Sequence, residues 1–439
     1  MGVDSRHICT ASGVADAAAP SDCSSKVAAR PASHPTAPVA EDEVAETAGF
    51  KPFDWTMDDV RKAVPAHLFV RSTARAMSYL ARDVAMAVAL WISALRIDSI
   101  CAYARETRVF PFDNAWGPLI LKCSLWLVYW WFQGLVFMGL WVIGHECGHG
   151  GFSDHQWISD VVGYAIHTSM FTPYFSWKIS HHRHHMNHAS MENDEVYVPH
   201  TRSEYKIPEP SDDGPNYDEY LGDAPVYTLF KMVLMQLFAY PAYLIYNTSG
   251  QREYPEWTSH FNPNSVLFKE TQRTAVVVSD IGVAAALWAF WMACQKWGTL
   301  TVAMYYGVPW FCVNHWLVLL TYLHHTDPVL PHYRANVWTF ARGAAATMDR
   351  DFLGWHGRFF LHGISHYHVA HHFFPKMPFY NGAAATEHLK AFLGEHYFYS
   401  DKPVFRALWD NYNECQFVED TGDIVFYRNR EGKSVREPA

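Results

Sequence analysis

Three histidine clusters in this chain are separated by apolar segments, and any fold must return all three clusters to one side of whatever those segments enter. The clusters are His145-Glu146-Cys147-Gly148-His149, His181-His182-Arg183-His184-His185 and His368-Val369-Ala370-His371-His372. Within each, imidazoles recur three or four residues apart, so on a helix they project from one face. Three such faces can enclose a pair of metal ions.

The apolar segments set the topology. Val84 to Ala104 is mostly apolar, although Arg96 and Asp98 weaken its second half, and it reads as a short or tilted span. Residues 118–143 form a stronger one, because about 20 helical residues cross the hydrocarbon layer. Ile158 to Tyr174 joins two clusters that must share a side, so it should lie in the interface or re-enter. Pro225 to Tyr246 holds Tyr227, Tyr240, Tyr243 and Tyr246, which suit the headgroup boundary, and reads as interfacial. Ala275 to Ala293 and Leu300 to Leu323 then form a hairpin of spans. The expectation is an all-α integral membrane protein with about four transmembrane helices, interfacial helices and a cytosolic helical cap, both termini and every cluster being cytosolic.

Composition agrees. Only 18% of the 439 residues are charged, 16% are aromatic and 18 are Trp, as expected of lipid-facing and interfacial surface. The mean hydropathy of -0.12 reflects dilution by long polar segments. A net charge of -10 argues against nucleic acid as a partner. The 8 Cys form no CxxC pairs, so neither a disulfide framework nor a zinc ribbon is indicated. Residues 1–48 are rich in Ala, Ser and Pro without an apolar signal core, and read as a disordered cytosolic tail. One domain should occupy 49–428, followed by a short polar C-terminal tail, 429–439. Structure should begin near Phe50, with Thr56 as a helix N-cap and Asp58 and Asp59 in the first turn.

Ligand chemistry narrows the metal. Neutral imidazole suits iron, copper, nickel and zinc, whereas calcium and magnesium prefer oxygen. The candidates are His145 and His149, then His181, His184 and His185, then His368, His371 and His372. Eight ligands are too many for one ion and reasonable for two. His182 points off that face and reads as outer-shell or exposed. The first cluster also fits HExxH, in which two His bind zinc and Glu146 would act as base. A membrane metalloprotease, however, needs one further ligand and leaves both HxxHH clusters without a use. Asp194 and Glu195 could accept the second ring N–H of a ligand, and His362 and His366 are further outer-shell candidates. His155, His167, His188 and His200 read as non-ligands, and Asp349, Arg350 and Asp351 as structural ion-pair residues.

From about Lys51 to Arg428 the chain resembles the integral-membrane fatty-acid desaturases, specifically the Δ12 (oleate-type) branch of plants and fungi. The likeness extends beyond the clusters to Val142-Ile143-Gly144, Pro173-Tyr174-Phe175-Ser176-Trp177-Lys178, Asn193-Asp194-Glu195-Val196-Tyr197-Val198-Pro199, Leu330-Pro331-His332-Tyr333, Ala346-Thr347-Met348-Asp349-Arg350-Asp351 and Met377-Pro378-Phe379-Tyr380-Asn381. The resemblance implies a centre of two iron ions using O2 at the cytosolic mouth of an acyl tunnel. It also implies a ninth ligand from His324-His325, with His325 matching the family pattern. An unactivated carbon–hydrogen bond offers no acidic proton, so a redox metal oxidant suits the chemistry.

The same resemblance implies desaturation of an oleoyl chain to linoleoyl on an acyl-lipid or acyl-CoA. Electrons would come from cytochrome b5 and its NADH-dependent reductase at the endoplasmic reticulum membrane, because the chain has no HPGG haem motif and no GxGxxG fingerprint. Gly144, Gly150 and His366 depart from the usual pattern, and Gly144 and Gly150 become specificity candidates. Acetylenases, conjugases and hydroxylases of the branch, acting on an already unsaturated chain, are therefore the alternative outcome. A non-enzymatic metal-binding membrane protein is the remaining class.

Overall fold

Thr56 opens the first helix as the sequence suggests: its side chain accepts from Asp59 N at 3.3 Å, while Asp59 Oδ2 accepts from Thr56 N at 2.9 Å. This capping box satisfies two of the amides that a helix start leaves open. The computed structural model describes residues 49–107, 116–208, 217–222 and 224–439; the stretch read as a disordered tail, 1–48, lies outside the described residues. After α1 (Met57–Ala63), Ser72 caps α2 (Thr73–Ala94), and a break at Leu95-Arg96 leads to α3 (Ile97–Glu106). Arg96 and Asp98 thus mark a joint in the first long apolar segment.

The spine is α4 (Trp116–His149), whose 34 residues extend about 51 Å. It packs against α2 and α3 on one flank and against α5 (Gln156–Ser169) and α6 (Tyr174–Asn187) near its end. A short α7 (Tyr217–Leu221) precedes α8 (Pro225–Tyr246), and α9 (Arg273–Trp297) is followed by α10 (Thr299–Val302), a π-turn at Ala303–Gly307 and α11 (Val308–His325). At one end of the bundle, Tyr129 donates to Tyr305 O at 2.7 Å and Trp130 to Met304 O at 2.8 Å. From there α4 and α11 run side by side, and both finish in histidines.

Among the described residues, four helical stretches are long and apolar enough to cross a membrane: Thr73–Glu106, Trp116–His149, Pro225–Tyr246 and Glu270–Trp297. The number matches the sequence reading, but the membership differs. Leu300–Leu323 drops out because Asn314, His315 and the π-turn dilute or interrupt its apolar run. Pro225–Tyr246 enters the set, yet both of its flanks are tied: Arg430 of the C-terminal segment donates to Leu221 O just before it, and Asn247 Nδ2 donates to Glu195 O, in the loop after α6, at 3.3 Å just after it.

The cap is built from α12 (Phe340–Ala345), α13 (Trp355–Phe360), α14 (His368–Phe373), α15 (Gly382–Leu393) and α16 (Val404–Glu414). Two small sheets brace it. β1 (His332–Tyr333) pairs antiparallel with β4 (Ile424–Val425), and β2 (Met348–Arg350) pairs in parallel with β3 (Phe398–Ser400). Residues 429–439, set apart in the sequence as a polar tail, return to the body: Phe50 N donates to Glu437 O at 2.8 Å and Ala439 N to Phe50 O at 3.0 Å.

Candidate metal centre

The first cluster lies on the last turns of α4. The helix then stops at Gly150, whose φ of +74° is the left-handed conformation that ends a helix, with Gly150 N donating to Cys147 O and Gly151 N to Glu146 O. Gly150 is therefore explained by the helix end. The second cluster lies on α6 and the third on α14, a helix of only 6 residues. Asp349 Oδ1 holds α14 by accepting from Val369 N at 2.8 Å, while Asp349 Oδ2 accepts from Tyr397 OH at 2.5 Å. Burial pushes the Asp349 carboxyl up to about 7, against those hydrogen bonds.

The histidines meet in two adjoining groups. One holds His145, His149, His181, His185 and His371; the other combines His184, His188 and His372 with His325, His368 and the same His372. In the first group, His145 Nε2 is 3.3 Å from His149 Nε2 and 2.8 Å from His181 Nε2, and His181 Nε2 is 3.2 Å from His185 Nε2. In the second, His368 Nε2 is 3.4 Å from His325 Nε2. His372 has both ring nitrogens buried without a hydrogen-bond partner among the described residues and stacks on His185 at 4.2 Å, joining the groups.

Electrostatics prepares these rings for a cation. Burial holds His181, His185, His368 and His372 well below the ordinary histidine range, and His371 at about 3. Neutral imidazoles present lone pairs, and lone pairs converging at such distances repel unless a cation stands between them. Nδ1 of His185, His325 and His368 and Nε2 of His371 are likewise buried with no hydrogen-bond partner among the described residues. The donor set is all nitrogen, which fits a transition metal and not calcium or magnesium.

Two carboxylates orient the rings. Asp194, named from the sequence, sits 2.9 Å from His184 Nδ1, so that ring turns its Nε2 inward. Burial alone would raise this carboxyl, but His184 and His188 beside it hold it down at about 2. Glu146, which the sequence offered only as a protease base, instead places Oε1 3.0 Å from His145 Nδ1 and 3.6 Å from His371 Nδ1, linking the first and third clusters. Carboxylates at the far nitrogen of a metal-binding histidine fix its tautomer and raise its basicity.

The other candidates are placed elsewhere. Glu195 pairs with Arg183 at 2.9 Å and accepts from Tyr254 OH at 2.8 Å. His362 bonds Asp83 at 2.7 Å and His366 bonds Asp351 at 2.9 Å, neither touching the cluster. His324 lies with its ring 4.0 Å from that of His368 but uses Nδ1 on Met348 O and Nε2 on Ser365 Oγ, whereas His325 places its Nε2 3.4 Å from His368 Nε2. His182 is exposed on the outer face of α6. Arg350 pairs with Asp327 at 2.6 Å, and Asp351 with Arg358 at 2.9 Å, as structural ion pairs. His188, set aside in the sequence reading, is also brought into the cluster. It caps α6 four residues after His184, so the spacing that flagged the other rings also reaches it.

An apolar cavity of about 540 Å³ opens onto the histidines, with Met138, Val142, Leu317, Leu320 and Ile364 beside His145, His184, His325 and His368. Trp141 forms part of its wall and stacks on His167 at 4.9 Å. His167 in turn occupies the space above Gly144: a Cβ there would lie 2.3 Å from His167 Cδ2. Gly144 thus has a steric reason, and it bears on the cavity wall.

Comparison with known proteins supplies the context. A family model described as "Fatty acid desaturase" matches residues 124–402. A Delta(12) fatty acid desaturase of Mortierella alpina is 43% identical over 387 residues, covering 85% of this chain and 91% of that protein. An oleoyl-12-hydroxylase of Ricinus communis is 39% identical over 383 residues, covering 86% and 91%. A protein of Brassica juncea named omega-6 fatty acid desaturase, endoplasmic reticulum, is 38% identical over 382 residues, covering 86% and 92%.

Proposed function

The chain belongs to the fatty acid desaturase family, and on that premise we propose that it introduces the Δ12 double bond into an oleoyl chain, giving a linoleoyl lipid. The observation that carries this reading is the convergence of three histidine clusters and His325 at an apolar cavity of about 540 Å³. Pockets of this size accommodate hydrophobic ligands and bury most of their surface.

The proposed ligands are His145, His149, His181, His184, His185, His325, His368, His371 and His372. Two iron ions held there would supply the oxidant for carbon–hydrogen bonds that no acid or base can break. The protein's own part is positional. Glu146 and Asp194 hold the rings, the cavity wall fixes which methylenes approach, and its apolar lining keeps water away. Two hydrogens leave the acyl chain, and two electrons with two protons arrive from outside, so that one O2 leaves as two waters. The electrons are assigned to cytochrome b5 and its NADH-dependent reductase, and the acyl carrier is a membrane lipid or CoA. The domain is assigned to 49–428, in the endoplasmic reticulum membrane, the compartment in the Brassica juncea relative's name. Pro225–Tyr246 is assigned to the cytosolic boundary because one flank is bound by the C-terminal segment and the other by the loop that follows the second histidine cluster.

Expression in a host that accumulates oleate, followed by lipid profiling, tests the proposal. Linoleate is the expected product; unchanged fatty acids from folded, iron-loaded protein would overturn it. Hydroxylated oleate would favour a second reading, which rests on Gly144 and the His167–Trp141 wall that packs over it and on the hydroxylase relative.

A further inference from the structure

His188 follows α6 by one residue and is buried, with 1% of its surface exposed. Its Nε2 lies 3.0 Å from Ala346 O. A carbonyl oxygen can accept but not donate, so Nε2 carries the ring proton and Nδ1 presents a lone pair. That lone pair is buried and has no hydrogen-bond partner among the described residues. The nearest carboxylate oxygen, Asp194 Oδ2, is 3.7 Å away and is itself an acceptor, already bonded to His184 Nδ1.

The ring faces the second histidine group, with centroids 5.0 Å from His184, 4.5 Å from His325 and 4.6 Å from His372. One ring nitrogen from each of His188, His184 and His372 falls within 4.8 Å of the others. A buried acceptor aimed among other acceptors is costly unless something electropositive satisfies them all. We infer that His188 Nδ1 is a tenth metal ligand, completing a second half of five imidazoles (His184, His188, His325, His368 and His372) opposite the first half of five. The Ala346 carbonyl then has the role that outer-shell acceptors have at histidine-ligated metals, fixing the tautomer that leaves Nδ1 free.

This inference rests on the two-metal reading above, and the experiment separates the two. Full-length wild-type protein and the His188→Gln variant are stripped of metal and titrated with Co(II), whose visible bands report ligand number and type. Metal content and thermal unfolding of the metal-free proteins are followed in parallel. Wild type should bind two ions. His188→Gln should keep one, bind the second at least about tenfold more weakly and show altered bands for that ion alone. His188→Gly with added imidazole should recover the wild-type bands, a rescue that also serves if the Gln variant fails to fold. Two ions with wild-type affinities and bands in His188→Gln would overturn this inference alone, as a single buried water on Nδ1 predicts. A single ion in wild type would overturn the two-metal reading and this inference together.

Discussion

The two halves of the histidine cluster are assembled differently. The first draws four of its five rings from regular helix, His145 and His149 on α4 and His181 and His185 on α6, each pair one turn apart. The second also uses pairs four residues apart, His184 with His188 and His368 with His372, but sets three of its five rings where helices end or begin: His325 closes α11, His368 opens α14, and His188 stands just past α6. Periodicity places side chains only within an element. A site built from element ends depends on tertiary contacts, such as Asp349 on Val369 N and Ala346 O on His188, to aim its rings.

The severest break is removal of a ring from either half. His149→Ala and His184→Ala should each abolish double-bond formation in an oleate-accumulating host. Metal analysis should show each variant losing ion from its own half. Retained turnover in either variant would remove that residue from the ligand set.

The next level is the pair of orienting carboxylates. Glu146→Gln acts on the first half through His145 and His371, and Asp194→Asn on the second through His184. Each should weaken its metal or lower activity by about 10- to 100-fold. Identical effects of both variants on both ions would show that the halves do not behave separately.

This division also explains what could be read from the chain. His145, His149, His181, His184 and His185 follow from spacing alone, and Asp194 from its closeness to α6. The family resemblance was needed to choose His325 over His324, and the structure gives the reason: Met348 O and Ser365 Oγ occupy both His324 nitrogens, partners 24 and 41 residues away. The spacing of four from His184 already reached His188, and what the sequence did not show is how its ring and the Glu146 carboxylate are oriented, because each depends on a contact between distant segments, Ala346 for one and His371 for the other. The count of long apolar helices was legible, while Leu300–Leu323 falls short of that set and Pro225–Tyr246 has a span's length and composition although both its flanks are tied to other segments, since hydropathy registers composition and not what binds a helix's ends.

A smaller effect is expected at the wall beside the first half. Gly144→Ala puts a methyl where His167 lies, 2.3 Å from Cδ2, and the displacement passes to Trp141, which stacks on that ring and lines the cavity. Overpacking of this kind costs about 1–3 kcal/mol. Thermal unfolding should register the loss, and lipid profiles should show a changed product ratio with both metals still bound. Combining it with His167→Ala should recover stability, because the colliding ring is then absent. An unchanged product ratio would confine Gly144 to packing.

The smallest effect sharpens the contrast between ring positions on one helix. His182 lies between the candidate ligands His181 and His184 but is exposed on the outer face of α6, outside both groups. Burial and the positive charges of Lys376, Lys178 and Arg183 depress its pKa, so at neutral pH it adds little charge that its replacement would remove. His182→Ala should therefore leave metal content at the wild-type level and shift stability by no more than about 0.5 kcal/mol, the range of ordinary surface substitutions. His185→Ala, three residues along, should lose metal from the first half. If His182→Ala also lost metal, position on the helix face would not be what separates ligand from bystander, and the assignment of α6 would have to be redrawn around His182.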